Sequence, residues 1–414
     1  EPRLRLLHRR VAEAIKEQYR QHIDELAGLL ASHYAQGGHP EQAADYAFRA
    51  GGRAAALGAW AEAASFFRQA LAGTSQHHPE GPAGARRFEI LMALGSVQLN
   101  AGDAEAASNA FTAALELAKA RNEQDNIDLA RRELARSYIS LNRFAQVIEL
   151  AKQIRANPAF EVDAEILWGT ALSLEGADLA EATAHLNRAA ASCTVHADPT
   201  NLAHITFELG GIAAQQGDLP QAITHYYNAL AVAEQSDAAL TYRILAHNNL
   251  AYHKLLLGHH DALLHANLGL QIAQEHGALA MQVYLFSTMG EISLANGELD
   301  QAEHLFRTGL TLAEQLNIPE RIAGLMANLG LVAQQRKQFD QACNLLSHAL
   351  TEAERISARH LAAQIRIWLA PLLPPEEAQA HLNSARTFAV AGNRRHLLTQ
   401  IAQVAQQLSA ISKP

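Results

Sequence analysis

One short pattern recurs along this chain and constrains its fold more than any other feature. A small residue is followed four positions on by an apolar or aromatic one, then three further by another small one. It reads Ala63-Phe67-Ala70, Ala107-Phe111-Ala114, Ala182-Leu186-Ala189, Ala222-Tyr226-Ala229, Ala302-Phe306-Gly309 and Ala342-Leu346-Ala349. Weaker copies stand at Ala43-Ala47-Ala50, Val147-Ala151-Ile154 and Ala378-Leu382-Ala385. From Ala107 the copies begin 40, 35, 40, 80, 40 and 36 residues apart, and the interval of 80 holds a degenerate copy at Leu263-Asn267-Leu270. Steps of four and seven place all three residues on one helical face. Repetition near every 40 residues predicts stacked helix pairs, each burying its apolar face only against its neighbours.

Composition agrees. Apolar residues make up 49% of the 414, aromatics only 6% and charged residues 18%, with Ala and Leu prominent. Those two are among the strongest helix formers, so the expected fold is all-α. The net charge of −9 is spread along the chain, and 33 basic residues against 42 acidic ones form no stripe. A direct nucleic-acid partner is not expected, because phosphate binding needs clustered positive charge. No apolar run reaches the roughly 18 residues of a membrane span. Cys193 and Cys343 lie 150 residues apart. That separation in a linear stack argues against a disulfide and points to a reducing cytoplasm. The first residue is Glu1 rather than Met, as in a fragment of a longer protein, although tag removal or processing leaves the same trace.

Punctuation along the chain fits helix pairs. The segment 1–72 reads as an N-terminal helical region with irregular pairs. Residues 73–84, with three Gly, two Pro and His77-His78, read as a loop. Residues 85–390 read as the regular stack and 391–414 as a closing helix and tail, that helix running from Asn393 to Ala410. Within pairs the turns are Ala101-Gly102-Asp103, Gln216-Gly217-Asp218, Leu257-Gly258-His259 and Asn296-Gly297-Glu298. Gly suits the left-handed position that closes a helix, and an acidic residue suits the next helix's N-terminus. Twelve residues before the pattern stands an apolar-small dipeptide: Leu94-Gly95, Leu134-Ala135, Leu209-Gly210, Leu250-Ala251, Met289-Gly290 or Leu329-Gly330. Gly costs up to about 1 kcal/mol inside a helix, so its recurrence implies a close backbone contact. On this reading the middle residue of each copy fills the gap toward the neighbouring pair.

Together these residues resemble the tetratricopeptide repeat in an elongated form, over about residues 25–390. The resemblance implies a right-handed α-solenoid of about nine helix pairs with a C-terminal capping helix, a fold that binds rather than catalyses. The stretches Leu7-His8-Arg9-Arg10-Val11-Ala12-Glu13-Ala14, Leu29-Leu30-Ala31-Ser32-His33-Tyr34 and Ala43-Ala44-Asp45-Tyr46-Ala47-Phe48-Arg49-Ala50-Gly51 are similar to a segment of bacterial STAND-type regulatory ATPases. In those proteins, which include large LuxR-type activators, tetratricopeptide arms act as sensors. No Gly-x-x-x-x-Gly-Lys-Ser/Thr loop occurs here. The similarity therefore implies a sensor arm, with the ATPase or output domain attached elsewhere in a full-length protein.

Site chemistry is sparse. His253, His259, His260 and His265 crowd one turn, but no Cys or HExxH pattern joins them, so no metal is expected. No nucleophile elbow or oxyanion-hole cluster is present, and neither an enzyme nor a cofactor is expected. The concave side of such a stack is formed by the first helix of each pair. Its groove candidates are Arg132, Arg136, His204, Phe207, Asn248, Tyr252, Tyr284 and Glu291. Arg132 and Arg136 could fork onto an acidic group, or simply pair with Glu133. Tyr252 and Tyr284 could stack on a ligand, or pack as core. Asn249 and Asn328 occupy the slot at which chaperone-type repeats hold a terminal carboxylate, but the partnering lysines are missing. The expected function is a regulatory arm taking up a protein, peptide or small-molecule effector. A free-standing adaptor and an enzyme with an unrecognised groove site are the alternatives.

Overall fold

The computed structural model describes residues 2–74, 81–176, 178–193, 198–392 and 394–411. His77-His78 and Asn393 lie outside these residues. The described chain is all-helical. Two helices, α1 (Pro2–Gln18) and α2 (Ala27–Gln36), are followed by nine pairs. The pairs are α3/α4 (Pro40–Ala56, Trp60–Gly73), α5/α6 (Pro82–Asn100, Ala104–Ala120), α7/α8 (Gln124–Ser140, Phe144–Ile154) and α9/α10 (Glu161–Glu175, Leu179–Ser192). They continue as α11/α12 (Pro199–Gln216, Leu219–Ala233), α13/α14 (Leu240–Leu256, Ala262–Glu275) and α15/α16 (Leu279–Ala295, Leu299–Gln315). The last are α17/α18 (Pro319–Gln335, Phe339–Arg355) and α19/α20 (Arg359–Leu369, Pro375–Ala391), and α21 (Arg395–Ile411) closes the chain.

Turn chemistry sets the hairpins. Gly217 ends α11 in the left-handed conformation at φ +87. Asn142 and Lys337 reach positive φ at the equivalent turns of α7/α8 and α17/α18 without glycine, and Asn317 does so between α16 and α17. Asp103, Asp178 and Asp218 then cap the following helix, each carboxylate accepting the backbone N–H three residues on. Pro220 sits in the first turn of α12, where its missing N–H is harmless.

The middle residue of the strong copies packs toward the neighbouring pair, as expected: Phe111 clusters with Leu134, Tyr226 with Leu250 and Phe306 with Leu329. It also sits on the first helix of its own pair. A Cβ built on Gly95 would lie 2.5 Å from the Phe111 ring, one on Gly210 2.7 Å from Tyr226, and one on Gly290 2.4 Å from Phe306. Gly51 stands in the same way under Phe67, and Gly330 under Leu346. Each of these large residues lies 16 positions after its glycine. The large side chain therefore needs a partner without a Cβ. Phe111, Tyr226, Phe306 and Leu346 are all buried.

The degenerate copy is also out by one position. Ala262, Ala266 and Gly269 are buried in α14, together with His265 and Ala273, whereas Leu263 is 41% exposed. In this register the copies at Ala222, Ala262 and Ala302 are 40 residues apart. Here Ala251, which has a Cβ, clusters with the small Ala266 instead of with a ring. The hairpins thus obey size complementarity, with Gly facing large side chains and Ala facing Ala.

Packing divides the chain, inside α9, into two compact units, Glu1–Ala164 and Glu165–Pro414. Within each, first helices touch from pair to pair (α3, α5 and α7; α11, α13, α15, α17 and α19), whereas second helices meet far less. First helices therefore form the inner side of the curve. In the second unit α21 lies against α19 and also returns to α11, so six inner helices close into a ring. Arg394 secures the closure. Its Nη2 donates to the Glu175 carbonyl (2.6 Å) and its Nη1 to the Phe388 carbonyl (3.1 Å), while the guanidinium stacks 3.9 Å over the Phe388 ring. Arg394 is 6% exposed, and Gly176 and Gly392 leave it room. Beside it lies a cavity of about 670 Å³ lined by the turns around Asp178, Asp218 and Arg395.

Two outcomes are expected. Gly290→Ala should cost about 1–3 kcal/mol by overpacking against Phe306. Adding Phe306→Leu should recover much of that loss, and strictly additive effects in thermal unfolding would refute the contact. Arg394→Ala should destabilise by about 2 kcal/mol, since charged hydrogen bonds inside a fold are the strong ones. Hydrogen exchange should quicken around residues 172–182 and 386–396 while α13–α17 keep their protection. Unaltered exchange at both sites would show that Arg394 holds nothing together.

Candidate functional site

The inner side of the second unit gathers polar side chains that the repeat pattern does not require. On α13, Asn248 is buried and accepts a hydrogen bond from Thr288 Oγ1 of α15 at 2.8 Å. Asn328 of α17 donates to Ser287 Oγ (3.2 Å) and to Glu291 Oε1 (3.1 Å), both on α15. Ser287 Oγ also donates to Glu291 Oε1, at 3.0 Å. Tyr284, seven residues before Glu291 on the same face, lies under the Arg321 guanidinium of α17 at 4.5 Å. Three successive first helices are thus tied by two adjacent sets of hydrogen bonds, which together make up the polar network of this face. Buried polar groups persist only when bonded, and these bonds fix the mutual register of α13, α15 and α17.

Electrostatics mark this face as enclosed. Burial pushes the Glu291 carboxyl above its usual range, and the bonds from Asn328 and Ser287 and the Arg321 charge offset this only in part. Tyr252 keeps 37% of its surface open, yet desolvation raises its hydroxyl, and the Glu291 charge raises it further.

Of the eight sequence candidates, Asn248, Tyr284 and Glu291 fall in the network and Tyr252 stands beside it. His204 and Phe207 of α11 form an aromatic group with Tyr242 of α13. The His204 ring stacks on it at 4.8 Å, and Phe207 is 6.1 Å away and also touches Tyr226. Arg132 and Arg136 belong to the first unit and are already occupied. Both pair with Glu133 (2.9 and 3.2 Å) and both approach Asp163 (3.5 and 3.6 Å). Glu133 was foreseeable from its neighbouring position, whereas Asp163 comes from α9.

Thr288, Ser287 and Arg321 were not singled out by the sequence reading. One signal could have found the first of them. Counted from the apolar-small dipeptide, positions 208, 249, 288 and 328 share a slot, and they hold Glu208, Asn249, Thr288 and Asn328. Asn249 has a structural task, bonding the Tyr226 hydroxyl. The crowded histidines diverge as well. His253 Nδ1 bonds the Asn249 carbonyl at 2.7 Å. His265 meets Tyr227 at 3.0 Å and His247 at 3.1 Å. Burial, aided by the His265 and Arg243 charges, pulls His247 down to about 4. Among the described residues no group of three or more His, Cys, Asp or Glu is arranged to hold a metal ion, and no helix is long and apolar enough to cross a membrane.

Residues 88–121 match the tetratricopeptide repeat family. No curated protein sequence matches the chain. Among solved structures, a Rap protein complexed with competence and sporulation factor is 15% identical, with a TM-score of 0.52, over 79% of this chain and 98% of that one. A STAND protein with a tetratricopeptide repeat sensor from Pyrococcus horikoshii is 16% identical, with a TM-score of 0.49, over 77% of this chain and 49% of that one. A Rap conjugation gene regulator of plasmid pLS20, in complex with the Phr* peptide, is 16% identical, with a TM-score of 0.49, over 78% of this chain and 77% of that one. The hairpin at 88–121 is a tetratricopeptide repeat, its architecture recurs on either side, and the chain is a tetratricopeptide-type α-solenoid.

Proposed function

We propose that this chain is a non-enzymatic binding module, the sensor or regulatory arm of a larger bacterial signal-transduction ATPase or transcriptional regulator. Its effector, a peptide in the first instance, occupies the inner face of the second unit. The observation that carries this reading is the polar and aromatic network of α13, α15 and α17, built where the packing rule leaves residue choice free. Asn, Thr and Ser side chains suit the amide and carbonyl groups of a peptide, and Tyr252 and Tyr284 offer flat apolar walls. The fold-level likeness to a Rap protein complexed with competence and sporulation factor supports a regulator that takes up an effector. Binding would act on an attached domain by favouring one of two conformations through differential affinity.

A free-standing adaptor is the second reading. It is favoured by one observation, that the similar Rap protein is matched over 98% of its own length. An ATPase domain upstream in the full-length protein would decide for the sensor arm.

The test is a thermal-shift and pull-down screen of peptides and small effectors against the wild-type chain and Tyr252→Ala. Tyr252 is partly exposed, so the variant should melt within about 1 °C of wild type. It should lose at least about tenfold in affinity for any hit, the loss expected of an aromatic anchor. Undiminished binding by the variant would move the effector away from this face.

A further inference from the structure

Two charges on this inner face leave each other unsatisfied. Glu291 receives both of its hydrogen bonds on Oε1, from Ser287 and Asn328, so its Oε2 has no donor. Arg321 stacks on Tyr284 and donates from Nη2 to Glu320 at 3.1 Å. Its Nε is buried with no acceptor, and its Nη1 has none either. Each group feels the other's field, yet no ion pair joins them. The other close arginine–carboxylate groups behave differently. Arg336 pairs with Glu303 and Asp300, and Arg366 with Glu354. The separation at Glu291 and Arg321 is therefore particular to this face.

A partly desolvated carboxylate that meets no cation is poorly compensated, as is a buried guanidinium nitrogen without an acceptor. Neither is needed to hold the hairpins together, because the Gly-on-large contacts do that. Both positions point to a ligand that completes them. Resting on the inner-face reading above, we propose that this site recognises a zwitterionic peptide, which gives an ammonium group to Glu291 Oε2 and a carboxylate to Arg321 Nη1. Tyr284, beneath the guanidinium, fixes its plane, and Tyr252 borders the carboxylate side. Charged hydrogen bonds made away from bulk water discriminate strongly against ligands that lack either charge. The two charges come either from the peptide's own termini or from a basic and an acidic side chain, and the experiment separates these sources.

The experiment is affinity selection, read by mass spectrometry, on immobilised wild type, Glu291→Gln, Arg321→Lys and Tyr252→Ala. The probes are two randomised tetrapeptide libraries, one with free termini and one acetylated and amidated. Wild type should enrich zwitterionic members at least tenfold over neutral capped ones. Enrichment confined to the free-termini library assigns the charges to the termini. Enrichment of capped members bearing both a basic and an acidic residue assigns them to side chains. Glu291→Gln should abolish the preference for the cation, and Arg321→Lys should weaken that for the carboxylate. Glu291→Gln should melt no lower than wild type, because it removes a desolvated charge and keeps the hydrogen bonds. A lower melting temperature would make Glu291 a structural group and overturn the proposal. Enrichment of neutral peptides by wild type, lost in Tyr252→Ala but unchanged in the two charge variants, would overturn the zwitterion and leave the binding face intact. No enrichment by wild type from either library would overturn both.

Discussion

The structure depends on one contact repeated from hairpin to hairpin: a large side chain of the second helix seated on the bare backbone of the first. A helical glycine is unfavourable by up to about 1 kcal/mol on propensity alone. It is retained because its missing Cβ lets Phe111, Tyr226 or Phe306 approach to a distance no other residue would allow. The helix spacing in each pair is set by this fit, and pair stacks on pair through the large residue and the small ones around it. Where the large residue is absent, as in α14, the opposing position becomes Ala251 and the spacing is kept by two small groups.

This contact also explains what could be read from the sequence. Period, helix pairing and the identity of the core residues were legible because they repeat, and the repeats share one physical cause. That the large residue meets the glycine of its own pair as well as the next pair was not legible. A face at i, i+4 and i+7 says which residues are buried together, not which neighbour they meet. At α14 two registers competed. Leu263, Asn267 and Leu270 looked apolar enough, but burial chose Ala262, Ala266 and Gly269, because closeness of helices, not hydrophobicity, is what the position demands. Arg132 and Arg136 looked available because Asp163, one of their partners, is distant in sequence.

The polar face inverts these conditions. Asn249, Thr288 and Asn328 occupy one slot in three repeats with three different contacts, to Tyr226, Asn248 and Glu291, so their chemistry is shared but their roles are not. Glu291 and Arg321 have no charged counterparts in neighbouring repeats, with Tyr252 and Leu331 at the slot of the first. Pattern reading is blind to residues used once. Only the meeting of α15 and α17 makes them partners, and only enclosure by the inner helices makes their charges matter.

The return of α21 to α9 and α11 has a geometric consequence. In an open stack each pair can tilt on the next independently, and small tilts accumulate harmlessly toward the free end. Once Arg394 joins positions 219 residues apart, the tilts of the second unit must add up to a full turn. A change in angle between α15 and α17 then has to be compensated elsewhere, and the seam at Gly176 and Gly392 is where the sum is checked. Whatever settles between Glu291 and Arg321 would thus be felt at the opposite side of the ring, without any chain of side chains carrying the signal across.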